Sequence, residues 1–525
     1  MDTKALRQKV LDLAIRGKLV PQDPNDEPAS VLLERIRQQK QQLVKEGKLK
    51  AKDIKNDSII FVGEDNLHYE KFADGSVKCI EDEIPFDLPD GWAWSRVVSL
   101  SSVITDGEHK TPRRVNDFQG YYLLSARNIQ NGFLSLTDVD FVDKSEFENI
   151  SKRCNPKDND VLISCSGSIG RVAVVNDSND YVMVRSAAMV RPISINPYYL
   201  MFALQSGELQ TQMQKASKQT AQANLFLGAI QSLLVPVPPK IEERRIVLVA
   251  GQAISIANEI EQNRESASRT ILQAKSKILD LAIRGQLVPQ DPADEPASVL
   301  LERIRAEKEE LIRQGKIKRD KKESVIFRGE DNSYYLRSGE LVEALEDWAF
   351  EELPDSWSVC CLGELCDYGN CTNVDTTDIA DSAWMLDLED IEKDSGVVLQ
   401  KVRKAERNAA STKHLFHKGQ ILYSKLRPYL NKVVLADEDG YCTSEILPLE
   451  FERNIFPQYA RYYLMSPAFL RYANKCSYGV KMPRLGTADG KKAIISVPPL
   501  GEQKRIVIAI EQAFSQLALI TENLS

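Results

Sequence analysis

Residues Lys277 to Arg305 read KILDLAIRGQLVPQDPADEPASVLLERIR, and residues Lys9 to Arg37 read KVLDLAIRGKLVPQDPNDEPASVLLERIR. Only the pairs Val10/Ile278, Lys18/Gln286 and Asn25/Ala293 differ. Such a long-period repeat marks two copies of one structural unit. The echo extends outward. SIIFVGEDNLHYE from Ser58 returns as SVIFRGEDNSYYL from Ser324, and LPDGW at Leu88 to Trp92 as LPDSW at Leu353 to Trp357. VPPKIEERRIV at Val237 returns as VPPLGEQKRIV at Val497, so order and spacing persist at offsets of 260 to 268 residues. The blocks between the echoes match far less well. A repeated frame with two unlike inserts suits a protein that reads two things at a fixed separation.

The middle copy predicts the frame. Pro238-Pro239 stop one segment, and a helical pattern runs from about Ile241 to Arg284. Ile246, Val249, Ala253, Ile256 and Ile260 supply the spacing of one apolar face. Gly285 suits the helix C-terminus, and a Pro-bearing connector follows. A second helix begins near Asp294 or Glu295 as N-cap, with Pro296 in its first turn and an apolar stripe of Val299, Leu300, Ile304 and Leu311. The first helix is expected to be about 65 Å long, which makes it a spacer. The other copy is cut in two: Gly501 to Ser525 supplies its first half, and Asp2 to about Gly47 its second. The reading is a pseudo-two-fold ring whose chain ends meet beside the continuous helix, because a lone amphipathic helix has nowhere to bury its stripe.

With 525 residues the chain exceeds one core. The most apolar stretch, around Ile246 to Ala257, is too short to span a bilayer, and MDTKALRQK lacks a signal-peptide core. Nine cysteines without a CxxC pair fit free thiols in a reducing cytoplasm. The formal net charge of -8 argues against a uniformly basic coat, but the charge is uneven. Arg407 to Lys432 holds six Lys/Arg and no acid, and Arg471 to Lys492 holds six more against Asp489 alone.

The repeated block, the LPDGW and LPDSW entries and the VPP exits together resemble the specificity subunit of type I restriction–modification systems, over nearly the whole chain. The resemblance implies an α+β fold: two α/β target-recognition domains separated by two long antiparallel helices, pseudo-two-fold and circularly organised. It also implies double-stranded DNA as ligand, with each recognition domain reading half of a bipartite site. The helices would dock methyltransferase subunits, two per chain, and restriction/translocase subunits would join them. S-adenosylmethionine, ATP and Mg would then sit only on those partners, and this chain would carry no cofactor and no catalytic site. The N-terminal half-repeat is a permuted layout relative to the commoner arrangement. The expected divisions are 1–49 (helical half-repeat), 50–84 (connector), 85–239 (first recognition domain), 240–312 (central helices), 313–349 (connector), 350–499 (second recognition domain) and 500–525 (closing helix). A protein-interaction adaptor is the alternative, and the basic windows favour DNA.

Both inserts carry a turn, a strand and a polar hinge: Val161 to Ser164 then Ser166 to Gly170, and Ile421 to Ser424 then the hinge Ser424 to Tyr429. Arg and Lys neutralise phosphates or contact guanine, while Asn and Gln match adenine. The candidate DNA contacts of insert one are His109, Lys110, Thr111, Arg113, Arg114, Arg127, Asn128, Ser166 and Ser168. Lys218, Gln219, Gln222 and Asn224, in the polar run 218–224, complete its set. Those of insert two are Lys413, Ser424, Lys425, Arg427, Tyr429, Lys432, Lys475, Tyr478, Lys481 and Arg484. Because the inserts differ, the target should be asymmetric.

The sequence has no phosphate loop, dinucleotide fingerprint or amino-methyltransferase Asn-Pro-Pro-aromatic tetrapeptide. His414 and His417, three apart, could share a helix face, but no third ligand stands near them. Cys360, Cys361, Cys366 and Cys371 lack zinc-ribbon spacing. No metal site is expected.

Overall fold

The computed structural model describes residues 2–116, 120–217, 223–316, 324–329, 333–345, 353–407 and 411–524. It resolves into two compact units, Met1–Asn263 and Arg264–Ser525. The division falls inside one helix, Lys240–Ile283, the expected spacer of 44 residues. The chain ends Met1 and Ser525, on which the expected ring closure turns, lie outside the described residues, as does Phe350 at the expected start of insert two.

Unit 1 opens with a helix, Thr3–Ile15, whose N-cap Asp2 accepts hydrogen bonds from the Lys4 and Ala5 amides. Its buried Val10, Leu11, Ala14 and Ile15 share a core with Ile246 and Ala250 of the spacer. Arg7 pairs with Glu261 while Arg245 pairs with Asp26, so the two helices run antiparallel. In unit 2 the closing helix, Leu500–Leu524, takes the place of the first half of the spacer. Its Ile506, Val507 and Ile510 pack with Leu279, Ala282 and Ile283, and Arg505 pairs with Asp294.

The spacer's buried stripe differs from the expected one. Ile246, Ala250 and Ala257 are buried, whereas Val249 and Ile256 are exposed. Two of those three covered positions carry alanine. The helix after the Pro connector starts at Ala297 with Pro296 at its cap, and Asp294 serves Arg505 instead. Leu300, Leu301 and Ile304 are its buried face, with Val299 and Leu311 outside. Its twin, Ala29–Lys45, ends before Gly47, whose φ is +71°. Gly17 and Gly285 turn the chain out of the preceding helices at φ +63° and +68°. A Cβ there would lie 2.6 Å from the Pro89 ring or 2.5 Å from the Pro354 ring, so glycine is required twice over.

The echoed motifs explain themselves in three dimensions. Strand Ala93–Arg96, just after LPDGW, pairs antiparallel with Leu234–Val237, just before the paired prolines. Strand Ser358–Cys361 pairs in the same way with Ile494–Val497. Each insert therefore enters and leaves its frame on one two-stranded clasp. The Trp92 indole donates to Glu242 at 3.1 Å, and the Trp357 indole to Glu502 at 3.0 Å. Within the stretches expected as connectors lie two three-stranded antiparallel sheets, one of strands 58–62, 68–72 and 77–79, the other of strands 324–328, 334–338 and 341–344.

Insert one contains two four-stranded sheets. One holds strands 161–164, 172–174, 187–192 and 101–106, and the other holds 114–115, 121–124, 140–142 and 180–183. Insert two has a three-stranded sheet around Ile421–Ser424 and a five-stranded sheet around Gly440–Thr443. The parallel pair 121–124 with 180–183 recurs as 384–386 with 440–443. His414 lies in strand Lys413–Phe416, which corrects the helical expectation. It is buried with Nδ1 2.9 Å from the Ile446 carbonyl, whereas the exposed His417 ring faces Asp439.

Candidate nucleic-acid interface

In insert one the strand Val161–Ser164 feeds a tight turn. Ser164 Oγ donates to the Ser168 carbonyl and accepts from the Arg171 amide. Gly167 and Gly170 take φ of +68° and +85°, conformations that glycine adopts without strain. The Leu225 amide donates to the Cys165 carbonyl at 2.9 Å, and Ser166 bridges Asn224. Thus Ser166, the exposed Ser168 and Asn224 come together. Lys218, Gln219 and Gln222 lie outside the described residues.

Three further loops meet this turn at residues 185–186. The Cys165 amide donates to Ser186 O, the Ala126 amide to Ser186 Oγ, and the Arg185 amide to Glu108 O. His109, Lys110, Thr111 and Arg113 are exposed on the 107–114 loop. Arg114 and Arg127 converge on Asp140 at 2.8 and 2.9 Å. His109 sits 2.7 Å from Asp106, whose carboxylate also binds Arg153. Burial pushes that carboxyl up, but the hydrogen bonds from Arg153 and His109 prevail and hold it below its ordinary value.

Asn128 is a correction. It is buried, its Oδ1 accepts from the Ser125 amide and hydroxyl, and its Nδ2 donates to Ser135 O. Buried, with its oxygen used twice inside the 125–128 turn and its Nδ2 tied to Ser135, it holds backbone in place rather than facing a base.

Insert two repeats the construction at an offset of 260. The Leu485 amide donates to the Lys425 carbonyl at 3.0 Å, and the Lys425 amide to Glu445 O. The Arg427 amide donates to Pro483 O at 2.7 Å. The turn 425–431 and the loop 478–484, both holding expected contacts, are therefore pinned together. Lys425, Arg427, the exposed Tyr429 and Tyr478, and Lys481 stand on this surface, with Lys475 on the helix Pro467–Cys476. Arg484 also lies there, bound by two nitrogens to Glu445 at 2.9 and 3.0 Å.

Half of the basic window 407–432 faces inward, which corrects Lys413, Lys432 and Ser424. Lys413 is buried with Nζ 3.5 Å from Asp387. Lys432 Nζ donates to Leu388 O at 2.6 Å. Arg407 binds Asp390 at 2.8 Å and Asp387 at 3.2 Å. Three cations thus brace one acidic turn, 387–390. Ser424 is buried, its hydroxyl donating to Leu426 O. Burial pushes the Asp390 carboxyl up, and the hydrogen bonds from Arg407, the Asp387 amide and Gln400 outweigh it, leaving the group low.

Sequence reasoning missed Ser186 and Glu445, whose carbonyls accept the equivalent bonds from the Cys165 and Lys425 amides beside the two turns. They stand 259 residues apart, one short of the offset of the turns, so a fixed offset would not have paired them.

Comparison with known proteins now bears on this surface. The family model for the type I restriction modification DNA specificity domain matches twice, over residues 89–267 and 354–525. The chain belongs to this family. Among its relatives, the type I restriction enzyme EcoAI specificity subunit of Escherichia coli is 29% identical over 430 residues, 70% of this chain and 63% of that protein. The EcoEI specificity subunit of Escherichia coli is 27% identical over 419 residues, covering 69% of this chain and 61% of that protein. The chain thus spans slightly under two thirds of the length of these relatives. A chain solved in work on complex assembly and conformational transition of the type I R-M system shares the fold. It superposes with a TM-score of 0.51 at 15% identity, covering 84% of this chain and 94% of its own.

Within this specificity-domain chain, the described residues contain no group of three or more His, Cys, Asp or Glu placed to hold a metal. Cys360, Cys361 and Cys366 are buried free thiols, and burial pushes the Cys361 thiol up to about 12. No helix among the described residues is long and apolar enough to cross a membrane.

Proposed function

We propose that this chain is the non-catalytic DNA-reading subunit of a type I restriction–modification complex. Each insert reads one half of an asymmetric bipartite site in double-stranded DNA. The antiparallel helices fix the gap between the halves and dock two methyltransferase subunits and the restriction/translocase subunits. Those partners bring S-adenosylmethionine, ATP and Mg, and this chain brings no cofactor of its own.

One observation carries the reading. The same backbone bond, Leu225 to Cys165 and Leu485 to Lys425, sets an exposed turn beside a second loop in both inserts, while the residues on the turns differ. A constant mount with variable contacts is what two different half-sites need. Two major-groove readers on one face of B-DNA stand about 34 Å apart or a multiple of it, a spacing that rigid helices can hold. Mapping modified adenines or cytosines in DNA treated with the assembled complex tests the reading. Two unlike half-sites at one gap are expected, and modification without sequence preference would refute it. Lengthening the spacer by four residues should change the gap.

A further inference from the structure

The loop 477–484 of insert two is a narrow hairpin with an apolar tip. Tyr478 and Arg484 exchange both backbone hydrogen bonds, at 3.1 and 2.9 Å. Gly479 makes the turn possible at φ +102°. The loop is pinned to the reader turn by the bonds from Arg427 to Pro483 and from Leu485 to Lys425. On this rigid mount Val480 is fully exposed and Met482 is 45% exposed. Cations border them: Lys481 between the two, and Lys425 and Arg427 on the pinned turn. Nothing within the described unit covers the tip. At the matching offset of 260, insert one has Thr220 and Gln222 in place of Val480 and Met482.

We infer that Val480 and Met482 are specificity determinants that read a thymine methyl group in one half-site. This rests on the DNA-reading function proposed above. The lysines and arginine around the tip match phosphates, which selects nucleic acid as the occupant. A narrow loop closed by one backbone bridge has room in the major groove, about 12 Å wide, and much less in the minor groove, about 6 Å wide. The thymine C5-methyl is the apolar feature displayed there, and an apolar side chain is its natural partner. Rigidity matters because a pre-formed hairpin loses little freedom on docking.

The test is enrichment of a randomised duplex library by the full-length chain assembled with its methyltransferase subunits, read by sequencing. The unaltered chain is expected to select two separated half-sites. Val480→Ser with Met482→Ser should lower the preference for thymine at one or two positions of one half-site, by about fourfold per methyl contacted. The other half-site should stay unchanged. A library built with deoxyuridine in place of thymidine should reproduce that loss with the unaltered chain. Lys481→Ala is the control, weakening binding to all sequences and flattening the salt dependence. An unchanged consensus with the double serine variant, or indifference to deoxyuridine, overturns the inference. If the unaltered chain enriches no sequence, the DNA-reading function fails and this inference with it.

Discussion

The turns at 125–128 and 387–390 occupy the same place in the two inserts and are held by opposite chemistry. In insert one a neutral Asn128 caps the turn alone. In insert two Asp390 caps it, and the resulting buried charge draws in Arg407, with Lys413 and Lys432 beside it. A second pair behaves alike. The Gly207 amide donates to Asp12 of the opening helix at 2.9 Å. Pro467 stands at the matching place in unit 2, and proline has no amide hydrogen to give. Asp280 turns instead to Lys277 and Arg284, and a cavity of about 700 Å³ opens there. Backbone shape was kept in both cases while side-chain chemistry drifted. Basic composition in an insert is therefore a poor measure of basic surface.

If the frames are equivalent, breaking the same lock should hurt both units equally. Trp92→Ala and Trp357→Ala should each destabilise their own unit by about 3–5 kcal/mol, read as local loss of hydrogen-exchange protection. Unequal losses would mean that the clasps are not alike. The turns should respond unequally. Arg407→Ala leaves the buried Asp390 unpaired and should destabilise insert two by about 3 kcal/mol. No counterpart exists in insert one. Acid should separate the two turns as well. The depressed Asp390 contributes stability above its unfolded value of 3.8, and that contribution is lost as pH falls through the lower folded value. The 387–390 turn should lose protection there, while the Asn128 turn does not respond.

A smaller effect comes from the clasps. Burial raises the Glu242 and Glu502 carboxyls above 4.5. The folded chain then holds protons that the unfolded chain releases, so stability falls as pH rises from 4.5 through the folded values. Glu242→Gln with Glu502→Gln keeps the acceptor for each indole and should flatten that fall in urea midpoints. Smallest is the helix contact. Asp12→Ala should cost about 1 kcal/mol through the lost Gly207 bond, and Asp280→Ala less.

Much of the frame was legible because repetition carries long-range information. The spacer, the two Pro-following helices and the clasp motifs all fall where the echoed blocks put them. The stripe was misread at Val249 and Ile256 because periodicity gives a face, not the closeness of the neighbour that covers it. The site was half legible. Ser166 with Asn224, and the 425–427 stretch with the 483–485 stretch that carries Arg484, were chosen from separate parts of the chain and meet in space. Asn128, Lys413, Ser424 and Lys432 were misjudged because whether a polar side chain faces solvent or a buried turn depends on partners far along the chain, such as Asp387. Ser186 and Glu445 escaped because their place beside the turns is set by backbone bonds to Cys165 and Lys425, which residue type does not announce.

The most direct measurement exchanges one reader. A chain carrying residues 85–239 in place of 350–499 keeps both clasps and both helices. Enrichment of a randomised duplex library, or mapping of modified positions, should then return an inverted repeat of a single half-site at the original gap. An unchanged asymmetric site, or two half-sites in direct repeat, would contradict two readers mounted on one two-fold frame.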